Sequence, residues 1–165
     1  MPLSWTKRLD QRLLDRLTHQ AADSARLRYA YPFHTLTERV QRLLIALQPG
    51  TYVRPHRHPP IPGLHRFEFL LVVQGEVGLM LFEEHGDVVH IERMGSGQSL
   101  HGIELAEATY HTVVALVPDT VLLEVKDGVY EASRDKDFLD IFPEEFTPAA
   151  RQLVIQWQHQ CANAH

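Results

Sequence analysis

Cysteine is almost missing from this chain of 165 residues: Cys161 stands alone, so no internal disulfide can form and a structural zinc site built on paired thiolates is excluded. Long apolar runs are missing too. The longest candidates, such as Phe69 to Val73, are strand-length, far short of the roughly 18 residues that cross a bilayer. No N-terminal stretch joins basic residues, an apolar run and a small-residue cleavage site, so a cytoplasmic location without a membrane partner is expected. Basic charge is in deficit, with 16 Lys+Arg against 21 Asp+Glu and a net charge of -5. Such a surface repels a phosphate backbone, and no nucleic-acid partner is expected. No Gly-x-Ser-x-Gly elbow, internal repeat or low-complexity segment occurs. What remains, 44% hydrophobic and 22% charged residues, is the composition of one globular domain spanning residues 1–165.

Histidine is plentiful by contrast: 11 residues, scattered rather than grouped as a tag. Leu9, Leu13, Leu14, Leu17 and Ala21 recur on one face of a helix over about residues 7–22, with Thr6 as its cap. Tyr29 to Thr37, interrupted by Pro32, fits neither periodicity and reads as a connection. From about residue 40 to 126 the pattern becomes short runs of Val, Leu, Ile and Phe: Val40 to Leu47, Phe67 to Val73, Val77 to Phe82, Val88 to Glu92, Leu100 to Leu105, Tyr110 to Val117 and Thr120 to Lys126. Turn signals such as Pro49-Gly50, Gln74-Gly75-Glu76 and His85-Gly86-Asp87 separate them, too short for parallel crossovers. An antiparallel all-β meander or jelly roll follows. Thr147-Pro148 opens a second helix, over about 148–161, with a stripe of Ala150, Leu153, Val154, Trp157 and Cys161. The helices pack either on the outer face of the β core or on a partner subunit. Their stripes, with exposed strand faces, lead us to expect a homodimer.

The segment Gly50 to Gly75 carries the chemistry. His56 and His58 are two apart, so on an extended backbone both imidazoles leave one face and can reach one metal ion. Glu68 shares a face with Leu70 and Val72, where a carboxylate is costly unless paired or coordinated. His111 repeats that logic at the head of a strand whose same face carries Val113 and Ala115. In a barrel that makes their strands neighbours, the three imidazoles and the carboxylate converge.

Gly50, His56, His58, Glu68 and Gly75 resemble the first motif of the cupin superfamily, and His111 fits the second. Nine residues separate His58 from Glu68, so Pro59 to Arg66 looks like a loop inserted beside the site. The resemblance implies a double-stranded β-helix with both helices outside it, and His56, His58, Glu68 and His111 as metal ligands. The pieces TYVRPHRHP, LLEVKDGVY and RDKDFLDIFPEE resemble more narrowly the WbuC-type cupin-fold metalloproteins of surface-polysaccharide gene clusters.

Mixed imidazole and carboxylate ligands suit one divalent first-row metal, Zn, Fe, Ni, Mn or Cu, with open positions for water or a small-molecule substrate. Arg54, Tyr52 and His65 are candidate substrate contacts; Lys126, Tyr130 and Glu124 are candidate acids or bases. Arg54 and Lys126 read equally well as salt-bridge partners, and the tyrosines as packing residues. His65 and His101 are the substitutes should one ligand of the four fail. His19, His34, His85, His90, His159 and His165 read as satisfied or solvated residues. Two functions fit: a metal-dependent isomerase, epimerase or oxygenase acting on a small polar, sugar-derived molecule, and a non-catalytic module that binds a sugar or carboxylate through the metal.

Overall fold

The computed structural model describes residues 6–63, 66–128 and 136–164. Among the described residues helix α1 (Gln11–Asp23) is followed by ten strands: β1 (Arg28–Pro32), β2 (Val40–Leu47), β3 (His56–Arg57), β4 (Glu68–Gln74), β5 (Glu76–Phe82), β6 (Val88–Gly95), β7 (Gly102–Leu105), β8 (Tyr110–Ala115), β9 (Thr120–Asp127) and β10 (Asp137–Phe138). Helix α2 (Pro148–Ala162) comes last. Two five-stranded antiparallel sheets face each other, in the orders β1-β2-β9-β4-β7 and β10-β3-β8-β5-β6. This is a double-stranded β-helix.

Period-2 alternation gives each sheet two apolar faces. On the inner faces Leu47, Leu70, Val77, Leu79, Met94, Leu105, Ala115 and Leu122 form the core between the sheets. On the outer face of the first sheet Leu44, Ala46 and Val121 receive Leu13, Leu14, Leu17 and Ala21 of α1. On the outer face of the second, Met80, Phe82 and Val114 receive Ala150, Val154, Trp157 and Cys161 of α2. Each helix therefore covers a sheet of its own chain. The helix stripes that suggested a partner subunit are used inside the chain.

Two readings of the N-terminal region change. The first helix starts at Gln11 under Asp10, whose carboxylate accepts the Leu13 N–H at 3.1 Å, so Thr6 is not its cap and Leu9 lies outside it, 43% exposed. The stretch from Tyr29 is not merely a connection: Arg28–Pro32 pairs with Leu43 to Leu47 as an edge strand. Pro32 is tolerated because an edge strand leaves one side of its backbone without a ladder.

The second helix follows its sequence signals: the Thr147 hydroxyl accepts the Ala150 N–H at 3.1 Å, with Pro148 in the first turn. Gly75, in the turn between β4 and β5, has φ +78°, and a Cβ there would sit 2.4 Å from Thr120 Oγ1. Gly78 serves a different purpose. It lets α2 approach β5 so closely that an added Cβ would lie 2.3 Å from Cys161 Sγ and 2.5 Å from its Cβ. Gly78→Ala should therefore lower stability by about 1–3 kcal/mol through overpacking, with a smaller loss in a Cys161→Gly background, as read by urea unfolding.

Glu145 ties the end of the barrel to its start. Its carboxylate binds Arg26 at 2.9 Å and Arg28 at 2.6 Å. Burial raises its pKa, but the hydrogen bonds and charges of the two arginines more than offset this, leaving it below the ordinary 4.5. Below that ordinary value the unfolded chain binds the proton more readily than the fold does, so the stabilisation is complete at neutral pH and lost as pH falls through the lowered folded value. The melting-temperature gap between wild type and Glu145→Gln should be widest near pH 7 and close below about pH 4.

Candidate metal centre

The strand β3 is only two residues long, yet its pairing places the site. His56 lies directly opposite His111 of β8, and their rings are 4.7 Å apart between centroids. His58 follows just beyond the strand, its ring 5.4 Å from that of His56 and 6.2 Å from that of His111. One nitrogen from each of the three falls within 4.8 Å of the others. All three residues are buried, at 3–8% exposure. Glu68, from the facing sheet, brings Oε2 to 3.3 Å from His111 Nε2 and 3.5 Å from His58 Nε2.

Backbone carbonyls set the ring orientations. His56 Nδ1 lies 2.9 Å from the Arg54 carbonyl and His111 Nδ1 lies 3.0 Å from that of Thr109. A carbonyl oxygen only accepts, so both Nδ1 atoms carry the proton and both Nε2 atoms keep a lone pair. Burial pushes His56 well below the ordinary imidazole pKa, reinforced by the charge of Lys136; burial also lowers His111, against the pull of Glu68. Both are neutral at pH 7. The lone pair of His111 Nε2 then faces a carboxylate oxygen at 3.3 Å, two acceptors that repel each other unless a cation lies with them. This donor set fits a divalent first-row metal ion. His56, His58 and His111 would hold it, with Glu68 beside two of them.

The site opens on a cavity of about 550 Å³ between the sheets. Lys126 and Glu124 of β9 both line it. Lys126 is 4% exposed, lies opposite Glu68 in the strand register and has its ammonium 3.8 Å from Glu124. Burial, then the Glu68 charge, raises the Glu124 pKa, and Lys126 opposes that rise. For Glu68 burial acts upward, but His111, His58 and Lys126 outweigh it and hold the carboxyl at about 2.

Two expected substrate contacts lie elsewhere. The Arg54 guanidinium reaches Glu144 at 2.7 Å and Asp140 at 3.3 Å and covers the Phe138 ring, so only its carbonyl serves the site. Tyr52 stacks on Trp157 at 5.8 Å and donates its hydroxyl to the Pro143 carbonyl at 2.8 Å. Neither residue lines the cavity; the intervening Val53 does. His65 and Tyr130 fall outside the described residues. The segment before Glu68 is anchored at Arg66, which is 6% exposed and donates to the Pro59 carbonyl at 3.0 Å. Sequence reading missed His34 and Lys136, which also line the cavity. His34 was concealed by the proline that disguised β1, and Lys136 follows a segment without periodicity.

Residues 9–94 match the model of a family described as a domain of unknown function, DUF6016. The chain belongs to this family. The match contains His56, His58 and Glu68, whereas His111 lies beyond it in this DUF6016 chain. No curated protein matches it. Among solved structures it is similar to an uncharacterized conserved protein with a double-stranded beta-helix domain from Klebsiella pneumoniae, with 13% identity and a TM-score of 0.57, over 84% of this chain and 96% of that one. It is similar also to oxalate decarboxylase from Bacillus subtilis, with 18% identity and a TM-score of 0.52 over 82% of this chain, and spans 34% of that enzyme's chain. A third is CapF, a capsular polysaccharide assembling protein of Staphylococcus aureus, with 21% identity, a TM-score of 0.50, and coverage of 67% of this chain and 31% of that one. These likenesses are those of the cupin fold.

Lys126 is a cation that offsets the carboxylates of Glu68 and Glu124. Lys126→Met should cost the metal-free protein roughly 3 kcal/mol at pH 7, and the double variant Glu124→Gln/Lys126→Met should recover most of that, as measured by urea unfolding. An unaltered midpoint in the single variant would contradict the pairing.

Proposed function

We propose that this protein is a metal-dependent enzyme of the cupin fold acting on a small polar molecule in the cavity beside His56, His58, Glu68 and His111. The observation that carries this reading is the pair of buried Nε2 lone pairs, on His56 and His111, turned inward by carbonyls that occupy both Nδ1 atoms. A divalent ion held there would supply Lewis-acid polarisation of a bound oxygen or activation of water. The chain's own residues do the rest. Lys126 neutralises an acidic group entering the cavity, and Glu124, whose pKa burial raises, is the carboxyl placed to exchange a proton with a ligand. Leu70, Val113 and Leu122 exclude water behind it.

The finer assignment within the cupins is to the WbuC type, on the sequence pieces quoted above, and the substrate class is sugar-derived. CapF, a capsular polysaccharide assembling protein, lends this support through shared fold alone. An isomerase, epimerase or oxygenase is the corresponding reaction class. A cytoplasmic homodimer of single-domain chains is the accompanying expectation.

The test is metal content against stability. His111→Ala and the double variant His56→Ala/His58→Ala should reduce bound metal from about one ion per chain to near zero by elemental analysis. Metal-free wild type and variants should melt within a few degrees of one another, because the three apolar clusters form without the site. Variants that retain a full complement of metal would overturn the assignment.

A further inference from the structure

The register of the first sheet lines up side chains across the cavity. Glu68 on β4 is opposite Lys126 on β9, and Lys126 is opposite Gln41 on β2. Continuing the β1–β2 register past the pair Pro32 and Leu43 brings His34 level with Gln41. All four residues line the cavity and all four are buried. The next rows are mainly apolar: Leu70, Glu124 and Leu43, then Leu122 and Ile45. Three strand spacings of about 4.8 Å separate the backbones of Glu68 and His34, so this polar row runs about 14 Å from the metal centre along the cavity wall.

Its far end is a directed donor. His34 is 8% exposed and its Nδ1 accepts the Arg42 N–H at 2.9 Å. The Arg42 carbonyl also lies 3.0 Å from Nδ1, but it already accepts the Phe33 N–H at 2.8 Å, and a proton on Nδ1 would collide with the Arg42 N–H. A neutral imidazole with an accepting Nδ1 carries its proton on Nε2, on the ring edge turned from the Arg42 backbone. Gln41 commits its Nε2 to the Gly128 carbonyl at 2.6 Å, which fixes its amide and leaves Oε1 as an acceptor. Along the row there follow the Lys126 ammonium, a donor, and the Glu68 carboxylate, an acceptor, with Glu124 beside Lys126 in the next row. Lys126 and Lys136 add positive charge at the metal end.

We propose that this row is the binding strip for an elongated polyhydroxylated carboxylic acid, with its carboxylate at the metal end beside Lys126 and its far hydroxyl accepting from His34 Nε2–H. The proposal rests on the reading of the cavity as the substrate chamber of a metal centre. Alternating donors and acceptors match successive hydroxyls, the apolar rows beneath take the C–H edge of the chain, and the length of the row exceeds what a two-carbon acid can span.

Titration calorimetry with gluconate, glycolate and octanoate, on zinc-loaded and metal-free protein, tests it. Gluconate should bind at least about tenfold more tightly than glycolate, and octanoate no more tightly than glycolate. His34→Asn keeps an acceptor for the Arg42 N–H through Oδ1 but loses the Nε2 donor. It should weaken gluconate about tenfold and leave glycolate and the melting temperature unchanged. Equal affinities for the two hydroxy acids, tighter octanoate, or gluconate binding indifferent to His34→Asn would each overturn the strip. The two readings fail separately. Absence of zinc uptake with the gluconate preference intact would overturn the metal centre alone, whereas normal zinc uptake without the preference would overturn the strip alone.

Discussion

The cross-strand pair of His56 and His111 governs the arrangement of everything around it. Two imidazoles facing each other in a water-poor barrel cannot both be charged, and burial lowers the pKa of each. Neutral rings need their Nδ1 protons placed, and the carbonyls of Arg54 and Thr109 do so from the chain two residues upstream of each histidine. The Nε2 atoms are then committed to the interior, against the carboxylate of Glu68. That carboxylate in turn requires a cation, which the register supplies as Lys126 directly opposite, and Lys126 brings Glu124 with it. One buried pair thus propagates into a polar cluster spanning both sheets. Its charges have to be balanced from inside, because Glu68 and Lys126 are each only 4–6% exposed.

That cluster is tolerated because the fold's stability is gathered elsewhere. Two of the three apolar clusters lie outside the barrel, under α1 and α2, where no polar group of the site intrudes. The third fills the end of the barrel around Leu47, Val77, Leu79, Met94 and Ala115. A barrel packed from end to end with such residues would have no chamber. The two helices take over part of the stabilisation that a filled interior would have provided, and the space between the sheets stays open.

The histidines and Glu68 were legible in the sequence because each is a polar group interrupting a period-2 apolar pattern or standing two apart on an extended segment. Tyr52 and Arg54, named as candidate substrate contacts, take the alternatives open to them in the sequence, packing and salt bridging. The strand that pairs begins only at His56, after Pro55, and before it Val53, not its neighbours, meets the cavity. The side chains of Tyr52 and Arg54 go instead to Trp157 and to Glu144 and Asp140, contacts across 86 to 105 residues that no local pattern announces. His34 was concealed in the opposite sense: Pro32 marks a break in most strands, but at an edge it does not prevent pairing. Ala108 shows how far this chain departs from the simplest local rules. It holds φ 63°, the left-handed region where an alanine is strained, three residues before His111.

The cavity has two unlike ends, and the difference follows from strand register rather than from any single residue. Side chains of β4, β9 and β2 meet in rows, so one polar row at Glu68, Lys126 and Gln41 must be followed, two residues on, by a row whose character is set independently. Here that second row is leucine on both sides of Glu124, and the third is wholly apolar. A ligand entering the chamber therefore meets hydrogen-bonding groups along one line and hydrocarbon along the next, with the candidate metal centre at the side where the polar line meets β3 and β8. A molecule with all its oxygens on one edge can satisfy both lines at once. One that is polar all round leaves oxygens facing the hydrocarbon rows, and one that is apolar leaves Lys126 and Glu124 without its help, so the register itself discriminates before any individual contact does.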